Sequence, residues 1–172
     1  MPLPQTSRVL NATAEKRALI QKIIAQLRAG LERYEKAART AHAEATHESS
    51  KAENKYDTRG LEASYLARGQ SKQAAEMIQA IEDFEALPLR AFTAADEIAV
   101  GACVELKAGR SRHFYFIGPR AGGTEVLHGE EEVLIITPSS PLGHQLVGRK
   151  QGAKVQLNIG GNVSEFLIAA VA

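Results

Sequence analysis

The residues able to do chemistry in this chain are few, and most stand apart from one another. His113, His128 and His144 are dispersed without the spacing that would place two ligands on one metal. The single cysteine, Cys103, sits in an alternating apolar run and reads as a small core residue, not a nucleophile. Gly118-Pro-Arg-Ala-Gly-Gly-Thr124 has the glycines of a phosphate loop but lacks the Gly-Lys-Ser/Thr such a loop needs, so it reads as a turn. Lys107, Arg110 and Arg112 make a basic hairpin end, suited to an acidic surface or nucleic acid but equally to water. Carboxylates gather around one polar turn, His47-Glu48-Ser49-Ser50-Lys51-Ala52-Glu53-Asn54. Glu53 and Asp57 stand at i and i+4 on one helical face, with Glu48 just upstream. The plain reading is solvated charge, since Asp57 is close to Lys55 and Arg59; His47 is likewise a solvated loop histidine unless a phosphate or RNA meets it. No Ser/His/Asp or Cys/His set accompanies them. A self-sufficient catalyst is not expected.

Two long helical patterns meet at that turn. Upstream, Ile20, Ile24, Leu27, Leu31, Tyr34, Ala38, Ala41 and Ala45 recur at alternating steps of four and three, the seam of a coiled coil. Downstream, Tyr56, Gly60, Ala63, Ala67, Ala74, Met77 and Ile81 keep the rhythm, with Gln70 as the polar exception. Folding back at Ser50-Lys51 pairs Ala45 with Tyr56, Leu27 with Ala74, Ile24 with Met77 and Ile20 with Ile81. That mirror arrangement predicts an antiparallel hairpin within one chain, hence a monomer. The first helix spans 13–46, capped by Asn11 or Thr13, and the second 52–85, stopped by Leu87-Pro88-Leu89. Arms of that length reach roughly 50 Å. Seven Lys/Arg face four Asp/Glu between Ala14 and Ala45, and four face seven between Ala52 and Glu85, which favours pairing of the two arms. The seam turns from Ile and Leu at the base to alanine and glycine towards the turn, so the hairpin should be thin at its end.

After Phe92 the period changes to two. Strands are expected at 100–106, 113–117 and 132–136. Ser140 followed by Pro141 is a good N-cap and first helical residue for a short helix through Val147. Strands at 154–159 and 163–171 close a hairpin over Gly160-Gly161-Asn162. The fold class is α+β, with a helical hairpin over 12–86 and a small antiparallel sheet carrying one short helix over 92–172.

The composition, 44% hydrophobic and 24% charged over 172 residues, is that of ordinary soluble domains. A formal net charge of +1 argues against a dedicated nucleic-acid binder. No basic-then-apolar signal segment and no membrane-length apolar run is seen, so a cytoplasmic protein without a membrane partner is expected.

The order of a helical finger, a proline-marked junction and a sheet with a Ser-Pro helix resembles the Gre transcript-cleavage factors (GreA/GreB-like) of bacterial RNA polymerase, from about Ala14 to Val171. Its clearest residues are Ser140-Pro141-Leu142-Gly-His-Gln-Leu146-Val-Gly148-Arg-Lys-Gln-Gly152-Ala-Lys-Val155, with Gly160-Gly161, Glu165-Phe166 and the turn pair Glu53-Asn54. The resemblance implies an FKBP-like C-terminal domain at the rim of the polymerase secondary channel, and a coiled coil that enters it. It implies tip acids that help hold the polymerase's catalytic Mg²⁺ while the polymerase cleaves the 3′ end of backtracked RNA, and it carries DNA binding among the family's attributes. The protein would then have no cofactor or catalytic residue of its own. Hard oxygen ligands suit Mg²⁺, and a second metal stabilises attacking and leaving oxygens. Here Ser50 stands where the family places an acid, three residues before the Glu-Asn pair. Glu48 with Glu53, or Glu53 with Asp57, would have to rebuild a two-carboxylate tip. By the same resemblance Ser140, Pro141 and Leu142 are read as partner contacts and Leu146 as packing.

Three alternatives follow from the same residues. A Gre-like factor could occupy the channel without promoting cleavage. An FKBP-like peptidyl-prolyl isomerase would need an aromatic pocket, for which the C-terminal half offers Phe114, Tyr115, Phe116 and Phe166. A structural coiled-coil dimer is disfavoured by the mirror-symmetric seam.

Overall fold

The computed structural model describes residues 13–47, 59–159 and 161–172. Helix α1 runs Thr13–Thr46 and α2 runs Arg59–Glu85. The strands are β1 Cys103–Ala108, β2 Ser111–Ile117, β3 Glu125–His128, β4 Glu131–Ile136, β5 Lys154–Ile159 and β6 Asn162–Val171, with α3 Pro141–Leu146 between β4 and β5. An α+β chain is what the change of period predicts. By contacts it divides within the helices, into one compact unit of α1 up to Ile24 with Asp83–Ala172, and another of Ala25–Glu82.

In the unit Ala25–Glu82 the seam is the one the heptads predict. Leu27, Leu31, Tyr34, Ala38, Ala41 and Ala45 on α1, and Gly60, Ala63, Ala67, Gln70, Ala74 and Met77 on α2, are all buried or half-buried. Glu32, Arg33, Glu35 and Lys36 beside them are exposed. The arms run antiparallel, because residues late in α1 meet residues early in α2. Thr46 and Ser64, His42 and Ala67, Ala38 and Ser71 line one groove. A Cβ on Gly30 would lie 3.1 Å from the Met77 methyl. These neighbours differ from the mirror pairing by about one heptad. A heptad pattern specifies the face but repeats every seven residues, and alanine knobs interlock too shallowly to resist a slip.

In the other unit the sheet has the order β3-β4-β2-β1-β6-β5. Most pairs are antiparallel, but β2 and β4 are parallel, with Phe114 opposite Val133 and Ile117 opposite Ile136. An all-antiparallel sheet was the sequence expectation; strand β3, absent from that reading, provides the turn-back that lets β4 return alongside β2. Only Val126 and His128 of β3 are buried, so its alternation is too short to register. The run Val100–Leu106 also begins late: Val100 and Gly101 form a turn, with Gly101 at φ 91 and the Ala102 N–H bonded to Ala99 O at 3.0 Å.

Central strands buried on both faces explain their near-continuous apolar runs. One face carries Val104, Leu106, Tyr115, Ile117, Ile136, Phe166 and Ile168, which pack with Leu146 of α3, Phe92 and Ile98. The other face carries Cys103, Phe114, Phe116, Val133 and Ile135, all nearly inaccessible. Phe84, at the end of α2, lies against it with its ring centroid 6.1 Å from that of Phe116. The start of α1 is fastened to the same unit. His128 Nε2 is 3.1 Å from Glu15 Oε2, and Lys22 Nζ donates to Leu127 O at 3.0 Å. With Leu19, Ile23 and Phe84 fully buried, at about 1.5–3 kcal/mol each, the helix ends belong to the sheet's core.

Candidate functional site

The acids read as the tip of the finger, Glu48, Glu53 and Asp57, and their neighbours Ser50 and Asn54, lie outside the described residues. His47, which is described, is exposed at the end of α1. Among the described residues no group of three or more His, Cys, Asp or Glu stands close enough to hold a metal ion.

The second predicted segment, Ser140-Pro141-Leu142, is described in full, and its side chains have unequal freedom. Ser140 caps α3: its Oγ accepts the Gly143 N–H at 3.0 Å and donates to Thr137 O at 2.8 Å. Pro141 occupies the first helical position, where its missing N–H costs nothing, and is exposed. Leu142 is half-buried against the core, and Leu146 is wholly inside it. The exposed face of this turn is therefore Pro141, with part of Leu142, while Ser140 holds the turn in shape. Sequence reasoning missed Gly143. A Cβ there would stand 1.9 Å from Thr137 O, so the helix can seat on the β4 exit loop only with glycine.

Other chemistry-bearing residues prove structural. Cys103 is buried, and burial pushes its thiol up to about 11, out of reach of nucleophilic work at neutral pH. Lys16 is 5% exposed, and its ammonium donates to Arg90 O at 2.6 Å and lies 4.8 Å from the centre of the Phe92 ring. Desolvation draws its pKa below the ordinary lysine value, with Arg90 adding to the fall and Cys103 opposing it. Arg90 also lies over that ring, at 4.6 Å, and is bound by Asp96 at 2.8 Å, so two cations contact Phe92. The Asp96 carboxyl is held below its usual range, first by the Thr93 hydroxyl and then by the Thr93 N–H. Of the basic hairpin end, Arg112 is engaged: it donates to the buried carboxylate of Glu105 at 2.6 Å. The glycine loop after β2 is a turn, as expected, with Ala121 at φ 59 and Arg120 bonded to Asp83.

The aromatics of the C-terminal half do not converge. Pairing of β1 with β2 puts Phe114 and Phe116 on the face of Glu105 and Cys103, and Tyr115 on the face of Val104. Tyr115 and Phe166 alone share a face, and the space between that face and α3 is filled by Leu146.

No family model matches the chain, and no curated protein matches it. Among solved structures it is similar to GreA factor homolog 1 (Gfh1) of Thermus thermophilus, at 23% identity and a TM-score of 0.37, over 87% of this chain and 94% of that one. It is similar to Thermus aquaticus Gfh1 at 24% identity and a TM-score of 0.38, over 96% and 99%. A structure of the transcription factor Gfh1 matches at 24% and 0.38, over 86% and 92%. The solved structures it resembles are thus of a GreA factor homologue. At these identities and TM-scores the likeness bears on neither partner nor activity.

Proposed function

We propose that this chain is an accessory factor of bacterial RNA polymerase, in the manner of the Gre factors its sequence resembles. Its hairpin enters the secondary channel and its sheet unit docks at the rim. The observation that carries this reading is the seam: two arms pair along a band that narrows to alanine and glycine, as a finger entering a narrow channel requires. The capped helix at Ser140-Pro141-Leu142, with Pro141 outward, supports the docking half. In the finer version of the proposal, Glu53 with Glu48 or Asp57 reaches the polymerase's Mg²⁺ and promotes cleavage of backtracked RNA. The polymerase supplies the hydrolytic chemistry, and this chain supplies carboxylates. Ser50 in place of an acid keeps the channel-occupying regulator without cleavage as the second reading.

The test is a stalled, backtracked polymerase complex incubated with the protein and with Glu53→Ala. Shortened RNA that is lost in the variant supports the cleavage factor. Cleavage that persists in the variant moves the metal contact to Glu48 or Asp57. Competition with a known cleavage factor and no shortened RNA supports the regulator. The absence of both cleavage and competition would overturn the polymerase assignment for the polymerase tested. Isomerase activity finds no support in the packing, because Phe114 and Phe116 point away from the helix that would close such a pocket.

A further inference from the structure

The six-stranded sheet ends in β3 on one side and β5 on the other. An edge strand presents main-chain N–H and C=O groups with which any other strand can pair. Beside β5 the Ala153 O accepts the Ile168 N–H at 2.9 Å. Alternate residues therefore turn their main chain toward β6, and Lys154, Gln156 and Asn158 turn theirs outward. Two of these outward groups are already taken, each by a side chain from outside the sheet. The Gln156 N–H donates to Gln145 Oε1 at 3.1 Å, and Arg149 Nη1 donates to Lys154 O at 3.0 Å. One acceptor and one donor thus stand where a neighbouring strand would put them. Both are held in place. Gln145 is half-buried on α3 beside the wholly buried Leu146. Arg149 is fixed by its own main chain, whose N–H donates to Leu146 O at 3.0 Å and whose carbonyl accepts the Ile98 N–H at 2.8 Å. The opposite edge is met in the same manner, by Lys22 Nζ on Leu127 O.

Strand β5 needs such a closure, because it lacks the usual ones. It carries no proline and pairs with β6 without a register shift. It is also self-complementary. Set antiparallel to β5 of a second copy about Gln156, it would bring Lys154 opposite Asn158 and Gln156 opposite Gln156, with no like charges facing. The one charge on that edge, Lys154, is paired within its own chain to Glu165 at 2.6 Å. We infer that Gln145 and Arg149 guard this edge: they keep β5 from pairing with β5 of a second copy, and their removal exposes a self-complementary dimer surface. The inference stands apart from the polymerase reading, since it involves neither the hairpin nor Pro141.

The test compares the full chain with a Gln145→Ala, Arg149→Ala double variant, and with that variant carrying Gln156→Pro in addition. Sedimentation velocity over a range of concentrations reads the oligomeric state, circular dichroism the folding, and amide hydrogen exchange the position of any interface. The parent should be monomeric. The double variant should form a reversible dimer, its dissociation constant lowered roughly ten- to thirtyfold, as two hydrogen bonds no longer competed for would give. Exchange at the Gln156 and Asn158 amides should slow in that dimer. Gln156→Pro removes an N–H that faces away from β6, so the strand tolerates it, and it should restore the monomer. Gln145→Glu alone keeps an acceptor for the Gln156 N–H and should stay monomeric. If the double variant does not fold, Gln145→Ala and Arg149→Ala singly carry the same comparison, at about fivefold each. A folded variant that stays monomeric, a parent that already dimerises through β5, or association that survives Gln156→Pro would each overturn the inference.

Discussion

Replacing Gly143 with alanine puts a methyl carbon 1.9 Å from Thr137 O and 2.8 Å from Thr137 C, both backbone atoms that cannot rotate away. Relief requires α3 to lift from the β4 exit loop by more than an ångström. Its Ser140 cap then fails, because the Gly143 N–H is the group that cap binds, at a cost of about 1 kcal/mol. Overpacking of this kind adds about 1–3 kcal/mol, and partial withdrawal of the fully buried Leu146 adds a fraction of the 2–5 kcal/mol that its truncation would cost. The opposing gain, alanine's better helix propensity, is at most about 1 kcal/mol. The clash wins, and a net loss of about 2–5 kcal/mol is expected, or roughly 10 °C in Tm for a chain of this size. Thermal and urea denaturation followed by circular dichroism would measure it, with hydrogen exchange at the Leu146 and Val147 amides reporting whether the loss is centred on α3. Gly69→Ala is the control: it lies inside α2 with nothing within 4 Å of its Cβ, and should stabilise by about 0.5–1 kcal/mol. If Gly143→Ala unfolds within about 0.5 kcal/mol of the parent, the seating of α3 described above is wrong.

Two further outcomes are expected. Because burial raises the Cys103 thiol from 9.0 to about 11, the folded chain keeps a proton that the unfolded chain loses in that window. Stability should therefore fall by about 2–3 kcal/mol between pH 9 and 11, and Cys103→Ala should flatten the slope. The Tyr115 phenol, also raised by burial, steepens the same limb above its ordinary value, whereas Lys16, lowered by burial, opposes it; denaturation midpoints across the alkaline range, with Lys16→Met alongside, would separate the three. At Gly30 the nearest atom among the described residues is the flexible Met77 methyl at 3.1 Å, so Gly30→Ala should leave the denaturation midpoint nearly unchanged as propensity and crowding offset. Gly30→Leu, too large for Met77 to accommodate, should cost about 1–3 kcal/mol.

Much of this molecule is local, and what is local was legible. The heptad seam from Leu27 to Ala45 and from Gly60 to Met77 follows from side-chain period alone, because a 3.6-residue turn returns those positions to one face. The Ser140-Pro141 start of α3 and the end of α2 before Pro88 follow from single-residue chemistry, a capping hydroxyl and a missing N–H. The hairpin of β5 and β6 follows from alternation on either side of a glycine turn. Tertiary structure decided the rest. A periodic seam cannot choose among registers a heptad apart, so the slip that brings Gly30 to Met77 needed both arms in place. Four residues of β3 carry too little alternation to announce a strand, and with β3 unseen the parallel pairing of β2 and β4 could not be foreseen. Lys16 reads as a solvated helix charge until Arg90 and Phe92 close over it. Gly143 looks like a weak point in a short helix until Thr137 O arrives from another element at a distance no Cβ can share. Tyr115, Leu134 and Glu125 likewise share one row only because β2, β4 and β3 lie side by side: contacts across a sheet depend on strand order, and strand order is settled by the packing of the whole unit.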